Sequence, residues 1–251
     1  METHGHHLHK APGNKFWHYF FEFFMLFLAV FCGFLVENFR EHQIEKEKGV
    51  QYIESFYEDL KSDTFKLSGI IAFDDIKLSG LKNMDVCFDG ITENFKETSC
   101  LEELIFYSRW NITFQLTDKT IRQLANAGGY RLLMKEDADS IMNYESKFKA
   151  YMDFEKTLFQ GAQDNVRNTL NVLADFKAFR QLQQTGTFND SGDLRLGKAI
   201  LLSNDRQLLN KYFNELLLYK RVIGGQRKKL NDIKINATHL IEYFKYKYKL
   251  D

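Results

Sequence analysis

From Phe16 to Val36 the chain reads FWHYFFEFFMLFLAVFCGFLV, apolar all round rather than along one stripe, with Glu22 as its one formal charge. A helix of that length rises about 31 Å at 1.5 Å per residue, close to the ~30 Å hydrocarbon core of a bilayer. Trp17 and Tyr19 open the run, where amphipathic rings favour the headgroup level. The pattern predicts a single transmembrane helix over 16–37, retained in the mature protein. A buried core helix or a removed signal peptide passes the same length test. The density of phenylalanine argues against the first. Against the second, Val30 and Phe31 stand where cleavage near Cys32 and Gly33 needs small residues.

Beyond the run the apolar positions fall into helix stripes. Ile53, Tyr57, Leu60, Leu67, Ile71, Leu78 and Leu81 recur at helical spacing, interrupted at Thr64 and Asp74, and predict that the anchor continues as one helix to about Asp85. Gly69 and Gly80 each weaken that helix by about 1 kcal/mol relative to alanine. Residues 86–97 read as a loop. Ser99 with Glu102 has capping-box spacing and opens a short helix carrying Leu101, Leu104 and Ile105. A second short helix follows Thr117 or Asp118 and ends at Gly128–Gly129. The stripe returns from Glu136 to Gln184 through Ile141, Phe148, Tyr151, Met152, Leu158, Phe159, Ala162, Val166, Leu170, Leu173 and Phe176, about 70 Å of helix if unbroken. TGTFNDSGD is a loop. The last helix starts near Ser203 and runs through Leu209, Phe213, Leu216, Ile223, Leu230, Ala237, Leu240 and Phe244, with a kink or break at Gly224–Gly225. The expected fold is all-α: an N-terminal transmembrane helix continuing into an elongated antiparallel bundle of three long helices plus short ones, packed in coiled-coil fashion. The domains are a polar His-rich tail (1–15), the anchor (16–37) and the helical bundle (38–251).

Composition narrows the function classes. The 251 residues carry 34 basic and 34 acidic side chains, so no bulk positive charge recruits a nucleic acid, and 44% hydrophobic content excludes a disordered chain. The single proline, Pro12, leaves everything after it free to form long helices. Charge does not decide orientation: Lys10 and Lys15 flank one side of the anchor, Arg40, Lys46 and Lys48 the other. The commoner arrangement keeps a short tail in the cytoplasm and exports the domain behind it. Cys87 and Cys100 then lie in an oxidising periplasm, where they either close a loop as a disulfide or remain two free thiols.

Two segments carry a resemblance. FEFFMLFLAVFCGFLVENFRE, Phe21 to Glu41, resembles the anchor of an uncharacterised family of single-pass bacterial membrane proteins, a domain of unknown function. That family has an early glutamate, small residues at intervals and an Asn-Trp-like pair at the exit. Glu22, Ala29, Gly33 and Asn38 match those positions, with Phe39 in place of the tryptophan. FQLTDKTIRQLANAGGYRLL, Phe114 to Leu133, is similar to a second segment of the family. The resemblance implies an anchored helical domain and brings no activity, ligand or catalytic residue.

Glu22 is the most informative single residue. An ionisable group in a span costs about 2.5–3.5 kcal/mol on insertion scales, so it faces a partner, relays protons or snorkels to the headgroups. His18, one turn earlier, is positioned to pair with it. Ala29 and Gly33 form a small-xxx-small pair that lets two helices approach closely. These four residues are the expected contact with a second copy or another membrane protein. GDLRLGKA, Gly192 to Ala199, lacks the hydroxyl and the preceding strand of a phosphate-binding loop. HGHHLH reads as a tail rather than a metal site, and KYKYK near the C-terminus as lysines favoured by the helix dipole, or else a site for lipid headgroups or anionic polymers. No nucleophile elbow, metalloprotease pattern or Cys–His pairing is present, so no enzyme and no cofactor are expected. The expected function is an interaction or scaffold protein anchored in a bacterial inner membrane. The alternatives are a ligand-sensing signalling helper and a stator-like subunit of a proton-driven motor using Glu22.

Overall fold

The computed structural model describes residues 15–93, 99–175, 177, 201–202 and 205–251. The His-rich tail up to Asn14, the TGTFNDSGD loop, GDLRLGKA, Phe176 and the expected helix start at Ser203 lie outside them. The described chain is all-α, with one isolated antiparallel bridge, Ala174 to Leu201.

The chain forms two units, residues 1–51 and 52–251. The described part of the first is a stretch of α1 (Lys15–Gly80) and carries no packed core of its own. Nearly every apolar side chain from Phe16 to Phe39 is exposed, Phe16 at 74% and Leu26 at 68%. Among the described residues this is the one helix long and apolar enough to cross a membrane, and none of its apolar window is buried.

In the second unit α1 continues to Gly80 and is followed by α2 (Met84–Glu93), α3 (Ser99–Arg109) and α4 (Lys119–Asn126). A 3-10 turn (Gly129–Leu132) follows, entered through Gly128, whose φ of 63° is the left-handed conformation that glycine adopts without strain. Next come α5 (Lys135–Phe154), a π turn (Glu155–Phe159) and α6 (Gln160–Leu173), and finally α7 (Arg206–Tyr248). Contacts fix the directions. Along α7, Phe244 meets Phe56, Arg227 pairs with Asp75 and Tyr219 meets Lys77, so α7 runs antiparallel to α1. Tyr144 meets Phe56 and Phe159 meets Lys77, so α5–α6 runs with α1.

Three sequence expectations are corrected. Residues 86–93 are the body of helix α2, not a loop: Met84, Cys87 and Ile91 bury one face at helical spacing, and Cys87 is disulfide-bonded to Cys100. The long helix expected to reach Gln184 ends at Leu173, about 58 Å from Lys135, where Ala174 turns extended and pairs with Leu201. α7 passes through Gly224–Gly225 unbroken. Gly225 serves packing instead, because a Cβ there would lie 3.0 Å from the Phe154 ring. Gly80 is tighter still: a Cβ would sit 2.0 Å from a Tyr107 ring carbon, which explains a glycine where α1 gives way to the connecting helices.

Two apolar clusters fill the second unit. One joins α1, α5 and α7 around Ile53, Phe56, Leu60, Tyr144, Leu230 and Phe244, capped by Phe114 and Leu124. The other joins α2, α3, α6 and α7 around Leu81, Ile105, Val166, Leu170, Leu216 and Ile223.

Candidate functional site

Where these clusters meet, the interior turns polar. The π turn causes this locally. Tyr151, Glu155 and Phe159 are spaced four and four, which in a regular helix rotates each step further from the buried face. The wider turn absorbs that drift and keeps all three inward, and such turns recur at functional positions. Glu155 is 1% exposed. Its Oε1 accepts from Asn111 Nδ2 (2.9 Å) and Thr113 Oγ1 (3.0 Å), and its Oε2 accepts from Gln226 Nε2 (3.1 Å). The segment between α3 and α4 is thereby tied to α5–α6 and α7 through one carboxylate. Tyr151 adds a tie, its hydroxyl accepting from the Phe114 backbone N–H at 3.1 Å.

α1 contributes Asp74 and Lys77, both buried. Lys77 Nζ donates to the Tyr219 hydroxyl at 2.8 Å and lies 5.0–5.6 Å from the ring centroids of Phe73, Phe159 and Tyr219, so its charge is held by cation–π contacts and one hydrogen bond. Burial pulls the ammonium down to about 8 against the opposing attraction of Asp74 and Glu155. Neither oxygen of Asp74 has a hydrogen-bond donor. Burial pushes its carboxyl up to about 7, with Lys77 opposing and Glu155 and Asp75 adding to the rise. Burial also raises Glu155, while Thr113, Asn111 and Tyr151 hold it back. Burial thus moves the Asp74 carboxyl and the Lys77 ammonium towards each other, to either side of neutrality. Asp74, Lys77 and Glu155 are all closed to solvent and feel one another's charge through space.

Two further carboxylate clamps fasten the ends of elements. Asp63 accepts from the Thr117 backbone (2.9 Å) and hydroxyl (2.6 Å) and from Tyr144 Oη (2.9 Å), while Asp59 accepts from the Thr120 backbone at 3.2 Å. Asp137 accepts from Tyr243 (2.8 Å), Lys247 Nζ (2.7 Å) and Tyr248. The KYKYK stretch is therefore partly internal, with Lys247 and Tyr248 engaged and Tyr246 91% exposed.

The residues singled out in the sequence fall elsewhere. His18, Glu22, Ala29 and Gly33 are exposed on α1 in the first unit, and no ion pair joins His18 to Glu22. A Cβ on Gly33 would meet nothing within 4 Å. Cys87 and Cys100 are bonded, with a Cα–Cα distance of 5.6 Å, and Cys32 is free and exposed. Sequence reasoning missed Asp74, Lys77, Glu155, Gln226, Asp59, Asp63 and Asp137. One signal was present: Asp74, read as an interruption of the α1 stripe, sits within the arc of that stripe and is fully buried. Among the described residues no group of three or more histidine, cysteine, aspartate or glutamate side chains is arranged to hold a metal.

Comparison with known protein families, curated proteins and solved structures gives no match.

Proposed function

We propose that this chain is a single-pass protein of a bacterial inner membrane whose helical domain acts as an interaction or scaffold module in a membrane complex. The observation that carries the reading is the exposed apolar segment Phe16–Val36, none of whose apolar window is buried among the described residues. A helix of that length with one charge is stable where lipid, not water, covers it. The Cys87–Cys100 disulfide supports an exported domain, since such bonds persist in the periplasm and are rare in the cytosol. The N-terminus then lies in the cytoplasm. The resemblance of Phe21–Glu41 to an uncharacterised single-pass family is in keeping with the same reading.

Partner contact is assigned to the face bearing Glu22, Ala29 and Gly33, with a second copy or another membrane protein opposite. Glu22 has no charge partner within the described chain, so burying it in lipid at about 2.5–3.5 kcal/mol favours a contact that satisfies it. The reading includes no catalysis, cofactor or nucleic acid. Co-purification in mild detergent tests it. Glu22→Gln and Gly33→Leu lose the co-purifying chain if the face is a contact. A proton-driven role is read instead if Glu22→Gln keeps the assembly and abolishes its work. Unchanged assembly and unchanged cellular phenotype in both variants would refute the assignment.

A further inference from the structure

A cleft of about 310 Å³ opens between the C-terminal end of α3 and α6, lined by Ser108, Arg109, Trp110, Val166, Arg167, Leu170 and Asn171. That is the small end of the range for ligand clefts, ~300–1,000 Å³. Its chemistry is one-sided. Arg109, Arg167, Trp110 and Asn171 all present N–H donors, and no carboxylate is among the lining residues. Arg109 is half-buried with its guanidinium 5.6 Å from the Trp110 ring, and has no acidic partner among the described residues. Burial lowers its proton affinity, and no neighbouring anion offsets the effect. Arg167 reaches Asp164 at 3.3 Å in an exposed pair, which leaves most of its donors free. Val166 and Leu170, both buried, make the floor apolar.

We infer that this cleft binds a small organic anion, a carboxylate or phosphate ester with a flat apolar body. The anionic group sits between Arg109 and Arg167, where two forked guanidiniums match planar oxyanions. The body lies on Val166 and Leu170 beside the Trp110 ring. This inference is independent of the membrane reading, because every lining residue belongs to the helical domain.

The chain has two tryptophans, so Trp17→Phe leaves Trp110 as the only indole reporter. The full chain in mild detergent, carrying Trp17→Phe, is titrated with benzoate, inorganic phosphate and benzamide while Trp110 emission is followed. Benzoate gives a saturable change, and phosphate and benzamide bind at least about tenfold more weakly. Adding Arg109→Gln weakens benzoate by about tenfold or more, the scale of a lost charge-assisted hydrogen bond. Asn171→Asp, an exposed position where folding is not at stake, does the same by placing a negative charge in the cleft. The inference is overturned if benzoate gives no saturable response, if benzamide or phosphate binds as well, or if the Arg109→Gln and Asn171→Asp chains titrate like the parent.

Discussion

Replacing Asp74 by asparagine should change how stability depends on pH. Asp74 is fully buried, receives no hydrogen bond on either oxygen, and has its carboxyl pushed from 3.8 to about 7 by burial. Between those values the folded chain keeps a proton that the unfolded chain has lost, so stability falls as pH rises from about 4 to 7. At 1.36 kcal/mol per pH unit for one proton, the loss is on the order of 3–4 kcal/mol across that window. Lys77 works the other way: its ammonium is lowered to about 8, so the folded chain releases its proton first and stability recovers as pH climbs from about 8 towards 10.5. Asparagine cannot ionise. Urea unfolding of the full chain in mild detergent, followed by far-UV circular dichroism at pH 4.5, 5.5, 6.5 and 7.5, gives the comparison. The Asp74→Asn chain gains on the parent as pH rises, by on the order of 3 kcal/mol between the extremes. The slope is the readout, because a buried amide shifts both ends of the profile alike. Parallel profiles would refute the reasoning and mean that Asp74 ionises in the folded state as it does in water.

Other perturbations have equally definite signs. Gly224→Ala meets no atom within 4 Å and gains helix propensity, raising stability by about 0.5–1 kcal/mol, whereas Gly80→Ala drives a methyl into Tyr107 and lowers it by about 1–3 kcal/mol; thermal melts of the two variants read opposite shifts. Removing the bond between Cys87 and Cys100 with a double serine variant frees a loop of sequence separation 13 and costs about 2–3 kcal/mol, measured as a lower urea midpoint that added reductant reproduces in the parent. Asp63→Ala strips the Thr117 backbone, the Thr117 hydroxyl and Tyr144 of their acceptor, costs about 2–4 kcal/mol, and speeds amide exchange at Thr117 ahead of the core of α7.

The helices were legible because their burial is periodic: Ile53, Leu60 and Leu67 on α1, or Leu216, Ile223 and Leu230 on α7, repeat at seven and are all buried. Glycine was misread at Gly224–Gly225, where propensity argued for a kink but α7 runs on, with Gly225 packed against the Phe154 ring of α5. The loop expected at 86–97 is corrected over 86–93 for a related reason, residues 94–97 lying outside the described ones. DVCFDGITE carries glycine and acidic residues common in turns, but its face of Met84, Cys87 and Ile91 is held by the apolar cluster and a disulfide. The polar layer stayed hidden because it is assembled from α1, the segment after α3, the π turn and α7, with 142 residues of sequence between Lys77 and Tyr219. A buried acid looks like a surface acid until its partners are known. Only the helical position of Asp74, within the arc of the α1 stripe, hinted at it.

The account depends on Phe16–Val36 remaining in the chain and lying in lipid. Membranes from cells producing the untagged protein are washed at alkaline pH, then extracted with mild detergent, and the recovered chain is sequenced from its N-terminus. The account predicts that the chain stays in the washed membranes, enters solution only with detergent, and still begins ahead of Phe16. Recovery in the aqueous wash, or a mature chain that starts beyond Val36, would contradict it.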